Sequence, residues 1–400
     1  MTAPSGAPTS PASHRRADRN THGGAIPRQR LPGTRTGRVG PRRTRGLIAV
    51  VPAYNEEAAI AETIRSLREQ TRRPDWVMVV PNNCTDRTAD AAAAAGAYVL
   101  PYPGHNPDKK AGAINYALDR LEVYIPDPWN YGVLVMDADT TLSRTFLEVA
   151  EENLIAGVGG VGGTFSGRQC ASALGFLQRM EYHRYGHVAK RMGGRAFVLT
   201  GTGTLFSYQA LLDVREQRRA GRLIPRGSGF YDTHSLTEDN ELTFALQACG
   251  YSVLSPEGMY ATTDVMETVG KLVGQRERWY LGAMRNIAQY GRQMPFHMRW
   301  TYWRQQLGLF FSAVVAVLYL IALIVSLALF HKVEFRWLWT APSVLLLAER
   351  VWSVWDMGWR ARIYAALFLP EQLYTLLLTF IYLKALTNFI RRKKGSWVAT

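Results

Sequence analysis

The sequence predicts an α/β domain with a doubly wound parallel sheet, followed by α-helical transmembrane segments. Three observations carry this. Short β-branched runs alternate with helical stretches from Gly46 onward. The acidic pair Asp137 and Asp139 follows directly on one of those runs, where such a sheet binds ligands. Residues 308–330 then pass 23 positions without a charge. At ~1.5 Å per residue that is enough to cross a hydrocarbon core of ~30 Å.

Composition bounds the reading. Of 400 residues, 47% are hydrophobic and 20% charged, which excludes disorder throughout and leaves room for one large soluble domain with a smaller membrane part. The three cysteines, Cys84, Cys170 and Cys249, have no metal-ligand spacing and are too few for a disulfide scaffold, which fits a reducing, cytosolic setting. The net charge of +15 is uneven: residues 1–46 hold ten arginines against the single acid Asp18, so +9 of it lies there. Met1, Ile26, Leu31 and Val39 are the large apolar residues of that stretch, too few to offset its ordering entropy. Residues 1–46 therefore read as a disordered Arg-rich leader without the apolar core of a signal peptide. With a mildly basic body and no groove-reading module, nucleic acid is not expected as a partner.

Residues 47–51, 76–80, 98–100 and 133–136 are strand-like, being short, β-branched and closed by Pro, Asn or Asp. Between them 56–70, 85–95 and 108–121 read as helices, and the βαβαβ order implies a sheet covered on both faces. Looser alternation through 158–165, 196–206 and 251–255 extends the domain over 47–290. Residues 291–306 read as an interfacial amphipathic helix, with Trp300, Tyr302 and Trp303 among Arg299 and Arg304. The membrane region, 307–400, holds two to three hydrophobic segments, at 308–330, 337–348 and 363–383. The basic cluster Arg391, Arg392, Lys393 and Lys394 favours the cytosolic side, so an even number of crossings is expected. Keeping Arg360 and Arg362 inside as well makes 336–355 the return span and lays 363–383 along the inner leaflet, bent at Pro370 and Glu371.

Asp137-Ala138-Asp139 offers two carboxylates suited to a hard divalent cation that bridges to a diphosphate, although a turn after a strand is the ordinary explanation of such a pair alone. Other motifs accompany it. Val51-Pro52-Ala53-Tyr54-Asn55-Glu56-Glu57 ends the first strand, Lys110-Ala111-Gly112-Ala113-Ile114-Asn115 opens the third helix, and Thr237-Glu238-Asp239-Asn240-Glu241-Leu242 opens a later one. Gln275-Arg276-Glu277-Arg278-Trp279 completes the series. In this order, over residues 47–279, the sequence resembles the family 2 inverting glycosyltransferases, in the membrane-attached branch related to cellulose, chitin and hyaluronan synthases.

That resemblance implies a GT-A type domain binding a nucleotide diphosphate sugar, UDP-sugars first, with Mg2+ or Mn2+ as cofactor. It further implies a glycan, lipid-linked or protein acceptor, and a multi-pass protein of the cell membrane with its catalytic domain in the cytosol. It makes Asp137 and Asp139 the nucleotide-sugar and metal carboxylates, and Asp239 the catalytic base. Lys110 becomes the phosphate contact, with Lys109 as its substitute. Gln275 and Arg278 are expected near the diphosphate and Trp279 beneath the acceptor sugar. The residue types suit these tasks, since a guanidinium grips phosphate oxygens bidentately and an indole face packs on a pyranose. Gly201-Thr202-Gly203-Thr204, read as following a strand, and Glu238 are placed toward the acceptor. Pro52, Tyr54 and Glu56 are placed toward base and ribose. Where relatives usually have a base-reading Asp, this chain has Asn82, whose carbonyl can still accept from a pyrimidine N3–H. Asp86 is read as the cap of the next helix. A catalytically inactive scaffold would be expected to have lost Asp139 or Asp239, and both are present.

Overall fold

The first strand, β1 (Gly46–Ala53), is buried along its whole length, as an apolar run without polar alternation must be when helices cover both faces of its sheet. The computed structural model describes residues 44–191, 193–223, 228–330 and 340–392. The leader before residue 44, and Lys393 and Lys394 of the basic tail, lie outside them. After β1 come α1 (Ile60–Arg68), β2 (Trp76–Pro81), α2 (Thr88–Ala94), β3 (Tyr98–Val99), α3 (Lys109–Leu121) and β4 (Tyr131–Val135). These are the expected repeats. β1 pairs in parallel with β2 on one side and β4 on the other, and β2 pairs in parallel with β3. Helix α1 begins four residues later than position 56, because Asn55 turns the chain at φ 54° and the Glu56 N–H donates to Thr88 Oγ1. Residues 54–59 are thereby a loop over the strand ends.

Next follow β5 (Thr141–Leu142), α4 (Phe146–Asn153), β6 (Val158–Gly162), β7 (Thr164–Gly167), α5 (Ala173–Arg191) and β8 (Thr204–Ser207). Then come α6 (Tyr208–Arg219), α7 (Glu238–Ala248), β9 (Ser252–Leu254) and β10 (Tyr260–Thr263). The main sheet runs β3-β2-β1-β4-β8-β6-β9, and a small one runs β5-β10-β7. The main sheet is mixed, which corrects the all-parallel expectation, since β8 is antiparallel to both β4 and β6. Residues 196–203, expected as strand, lie before β8 as a loop. The Leu199 N–H donates to Thr243 Oγ1 and the Gly201 N–H to Asp239 Oδ2. Gly201, Thr202 and Gly203 consequently precede a strand rather than follow one.

Alternate residues of the sheet feed two cores. Ile48, Val50, Val133 and Val135 meet Ile114 and Leu118 of α3, Leu211 of α6 and Phe244 of α7. Leu47, Ala49, Val51 and Leu134 face Ile60 and Ile64 of α1 and Phe146 of α4.

The last helices are α8 (Val269–Tyr290), α9 (Phe296–Phe330), α10 (Thr340–Trp352), α11 (Trp359–Leu367) and α12 (Leu369–Ile390). The amphipathic segment expected at 291–306 is not a separate helix. It runs unbroken into the apolar stretch, and its Tyr302 enters the domain core, edge-on to Phe244 at 4.5 Å with its hydroxyl donating to the Phe197 carbonyl. Trp300 and Trp303 stay exposed. Among the described residues, Met298–Leu329 and Leu369–Ile390 are long and apolar enough to cross a membrane by length and composition. The bend expected at Pro370 falls at Phe368, whose φ of 60° ends α11, and Pro370 sits in the first turn of α12, where its missing N–H breaks no bond. Of the return span expected at 336–355, positions 336–339 lie outside the described residues and α10 covers 13. Helix α12 lies along α8, with Ala385 against Leu281, Tyr382 edge-on to Tyr280 at 5.5 Å, and Lys384 Nζ 2.8 Å from Glu277.

Candidate active site

The carboxyl ends of β1 and β4, the first turns of α3 and α7 and the loop before β8 converge on one cluster. Asp137 leaves β4 after Met136, and Lys110 reaches it from the opening turn of α3. The ammonium donates to Asp137 Oδ1 and lies 3.4 Å from Glu238 Oε1. Asp239, beside Glu238 at the start of α7, accepts from the Gly201 N–H at 3.1 Å through Oδ2 and from the Asn240 N–H at 2.7 Å through Oδ1. A Cβ at Gly201 would stand 2.7 Å from Lys110 Nζ and 3.7 Å from both Asp137 Oδ2 and Asp239 Oδ2. Lys110, Thr200, Gly201, Tyr231, Glu238 and Asp239 line a narrow cavity at this point.

The electrostatics separate these groups. Burial, and then the Glu238 charge, push the Asp239 carboxyl above the ordinary range, the direction a proton acceptor needs. Burial alone would weaken the hold of Lys110 on its proton, yet Asp137 and Glu238 more than reverse this and keep it charged. Burial followed by the charges of Asp137 and Asp264 raises Asp139 to about 6. Glu56 rises to about 7 through burial and the charges of Asp139, Asp264 and Asp137. A cluster of hard oxygen donors that mutually resist ionisation fits a divalent cation. Asp264 was not apparent from the sequence. Neither was Arg168, which donates to the Asp139 carbonyl at 2.8 Å and pairs with Asp264 at 2.7 Å and Glu62 at 3.1 Å.

At the ends of β1 and β2 stand Tyr54, 45% exposed and following the buried Pro52, and Asn82. Asn82 is buried, and its Oδ1 accepts from Asn106 Nδ2 at 2.7 Å, while the same amide donates to the Lys109 carbonyl at 2.7 Å. Asn82 thus steadies the turn that delivers Lys110. Asp86 accepts from the N–H groups of Thr88 and Glu57, both at 3.1 Å, tying the start of α2 to the 54–59 loop. The cap position of α2 is Arg87, so Asp86, read from the sequence as the cap, stands one residue before it.

Helix α8 carries the Gln275-Arg278-Trp279 signature. Gln275 is buried, with its Oε1 unpaired among the described residues. Trp279 stands edge-on to Phe165 at 6.3 Å, Phe165 stacks on Tyr185 at 5.5 Å, and Arg276 lies 4.5 Å over the Trp279 ring while pairing with Glu181 at 2.9 Å. The platform around Trp279 is therefore built by β7, α5 and α8 together, and no local pattern marks Phe165, Tyr185 or Arg276. The other end of α8 grips α7, the helix that begins with Glu238 and Asp239. Asn286 Nδ2 donates to Thr237 Oγ1 at 3.1 Å and Asn240 Oδ1 at 2.8 Å. One turn into α7, the fully buried Glu241 pairs with Arg218 at 2.7 Å and accepts from the Tyr290 hydroxyl.

Comparison with known proteins agrees with this architecture. Poly-beta-1,6-N-acetyl-D-glucosamine synthase of Staphylococcus aureus (strain COL) is 25% identical over 245 residues, covering 59% of this chain and 54% of the relative. The protein of the same name from Staphylococcus epidermidis is 24% identical over 251 residues with the same coverage. The chain thus spans about half the length of these curated relatives. Among solved structures, the mannosyltransferase PcManGT from Pyrobaculum calidifontis, in complex with GDP-Man and Mn2+, shares the fold, with a TM-score of 0.54, 18% identity and 89% of each chain covered. Residues 44–282 match the family model described as "Glycosyltransferase like family 2". With more than half of its length matched, the chain belongs to that glycosyltransferase family.

Proposed function

We propose that the chain is a membrane-anchored inverting glycosyltransferase that moves a sugar from a nucleoside diphosphate donor, UDP-sugars first, to a growing glycan or a lipid-linked acceptor. The observation that carries the reading is the meeting of Lys110, Asp137, Gly201 and Asp239 at one end of the sheet. Asp239 takes the proton of the acceptor hydroxyl as its oxygen attacks the anomeric carbon from the face opposite the diphosphate, so the configuration inverts and the nucleoside diphosphate leaves. Lys110, held charged by its acidic neighbours, meets the charge growing on the departing phosphates. Asp137 and Asp139 would hold Mg2+ or Mn2+, which would supply further neutralisation of that charge. Gln275 and Arg278 hold the diphosphate, Trp279 supports the acceptor sugar, and Glu238 and the 201–203 loop border it. Pro52, Tyr54, Glu56 and Asn82 flank the base and ribose.

The name printed for the curated relatives favours glycan elongation. The two long apolar helices favour anchorage, with the 47–290 domain in the cytosol and the 307–400 region at or in the membrane. Full-length protein in detergent, assayed with Mg2+ or Mn2+ against a panel of nucleotide sugars, is expected to release nucleotide from at least one. Release from none by folded protein would assign a catalytically inactive membrane scaffold instead.

A further inference from the structure

Away from the Asp137–Asp239 cluster, one group of histidine and acidic side chains among the described residues has all its ligand atoms within 4.8 Å of one another: His183, His187 and Asp356. The two histidines lie four residues apart on one face of α5, the spacing by which a helix turns two imidazoles toward a common point. Their Nε2 atoms are 3.2 Å apart, with the rings nearly perpendicular at 87°. Two nitrogens bound at ~2.0–2.1 Å to a tetrahedral zinc ion stand about 3.3 Å apart, so the spacing is already that of a ligand pair.

Asp356 arrives from a different part of the chain, in the one-turn helix Trp355–Met357 that joins α10 to α11. Its position is fixed by packing. Val354, Ala361 and Ala365 are buried against Phe176 and Met180 of α5, and Met357 packs on the same group. Arg184, between the two histidines, donates to Ser353 Oγ at 2.8 Å and to Glu371 at 2.7 Å. Arg350 pairs with the other oxygen of Glu371 at 2.7 Å, so α5, α10 and α12 are tied together beside the histidines.

We propose that His183, His187 and Asp356 bind a transition-metal ion of the zinc class, which fastens the α10–α11 turn to α5. Two imidazoles and one carboxylate suit zinc, nickel or copper, in contrast to the all-oxygen cluster at Asp137 and Asp139, which suits magnesium or manganese. Three protein ligands leave a fourth position for water.

The test uses Zn2+ as the probe on tag-free, full-length protein in detergent, in an Asp139→Asn background that weakens the oxygen-ligand site. One equivalent of Zn2+ per chain is expected after dialysis, and it should be lost when His187→Gln is added, a change that keeps side-chain size and hydrogen-bonding capacity. Co2+ in its place should give the intense visible band of a tetrahedral site in the Asp139→Asn protein and not in the double variant. Zn2+ should also slow tryptic cleavage at Arg360 and Arg362 in the first protein alone. Equal zinc in both proteins would overturn the assignment and leave a plain His183–His187 hydrogen bond. Unchanged cleavage on adding Zn2+ would overturn the fastening.

Discussion

The two halves of the catalytic domain hold their polar groups in different ways. From β1 to β4, the site residues Tyr54, Asn82 and Asp137 stand within two positions of a strand end, and Lys110 in the first turn of a helix. In the half from β7 to α8 the same task is done by contacts distant in sequence. Asp239 is held by an N–H 38 residues before it, and its helix by Asn286 and Tyr290, each 46 to 49 residues beyond the groups they bind. The geometry around Tyr54, Asn82 and Asp137 follows from the regular sheet, whereas Asp239 is placed by buried polar contacts that must all be satisfied together. Substitutions on the first side should therefore act mainly on ligand binding. On the second they should divide between chemistry and folding.

The largest separation is expected from Asp139→Ala, which should abolish cation-dependent donor binding without lowering the thermal midpoint of the cation-free protein. Calorimetry with and without Mg2+ or Mn2+ reads both, and surviving activity in the variant and in chelator-treated parent would remove the cation from the donor side. Asp239→Asn should lower turnover by about 10²–10⁴-fold, the usual contribution of a positioned base, with donor affinity nearly unchanged. Turnover close to the parent's would remove Asp239 from the chemistry. Arg218→Leu leaves the fully buried Glu241 with the Tyr290 hydroxyl but without its ion pair, and should cost about 3–5 kcal/mol of stability, seen in denaturant melts. A cost near zero would mean that α7 does not depend on the pair.

A smaller effect concerns pH. Asp139 and Glu56, raised to about 6 and about 7, bind more protons folded than unfolded, so the cation-free protein loses stability as pH rises from about 4 through 7. Mg2+ should relieve this, giving a larger thermal shift at pH 7.5 than at pH 5.5, and an equal shift at both would detach these acids from the cation. The smallest change is expected from Asn82→Asp. Asn106 can donate to a carboxylate as well as to an amide, so the fold should survive. If residue 82 faces the base, competition should move toward uridine over guanosine diphosphate by about fivefold, the gain of a charge-assisted hydrogen bond. No change in that ratio would confine Asn82 to steadying the Lys110 turn.

Local pattern was enough for the repeats of β1 to β4, for the acidic pair after β4 and for the helix starts at Lys110 and Glu238, because apolar runs and helix-opening residues act over a few neighbours. It was enough, too, for the long apolar helix around 308–330, since length and charge decide that alone. The antiparallel seat of β8 was beyond it. Residues 196–203 are apolar enough for a strand, yet the N–H groups of Leu199 and Gly201 go to Thr243 and Asp239 of a helix some 40 residues on instead of to a neighbouring strand. Tyr302 reads as an interfacial aromatic yet lies in the core, because Phe244 and the Phe197 carbonyl offer a place for both its ring and its hydroxyl. Asp264, Arg168, Arg276 and the aromatic group around Trp279 carry no local signature at all. Their surroundings come from segments tens of residues apart, and a side chain's charge state and contacts belong to the space it occupies rather than to its neighbours in the chain.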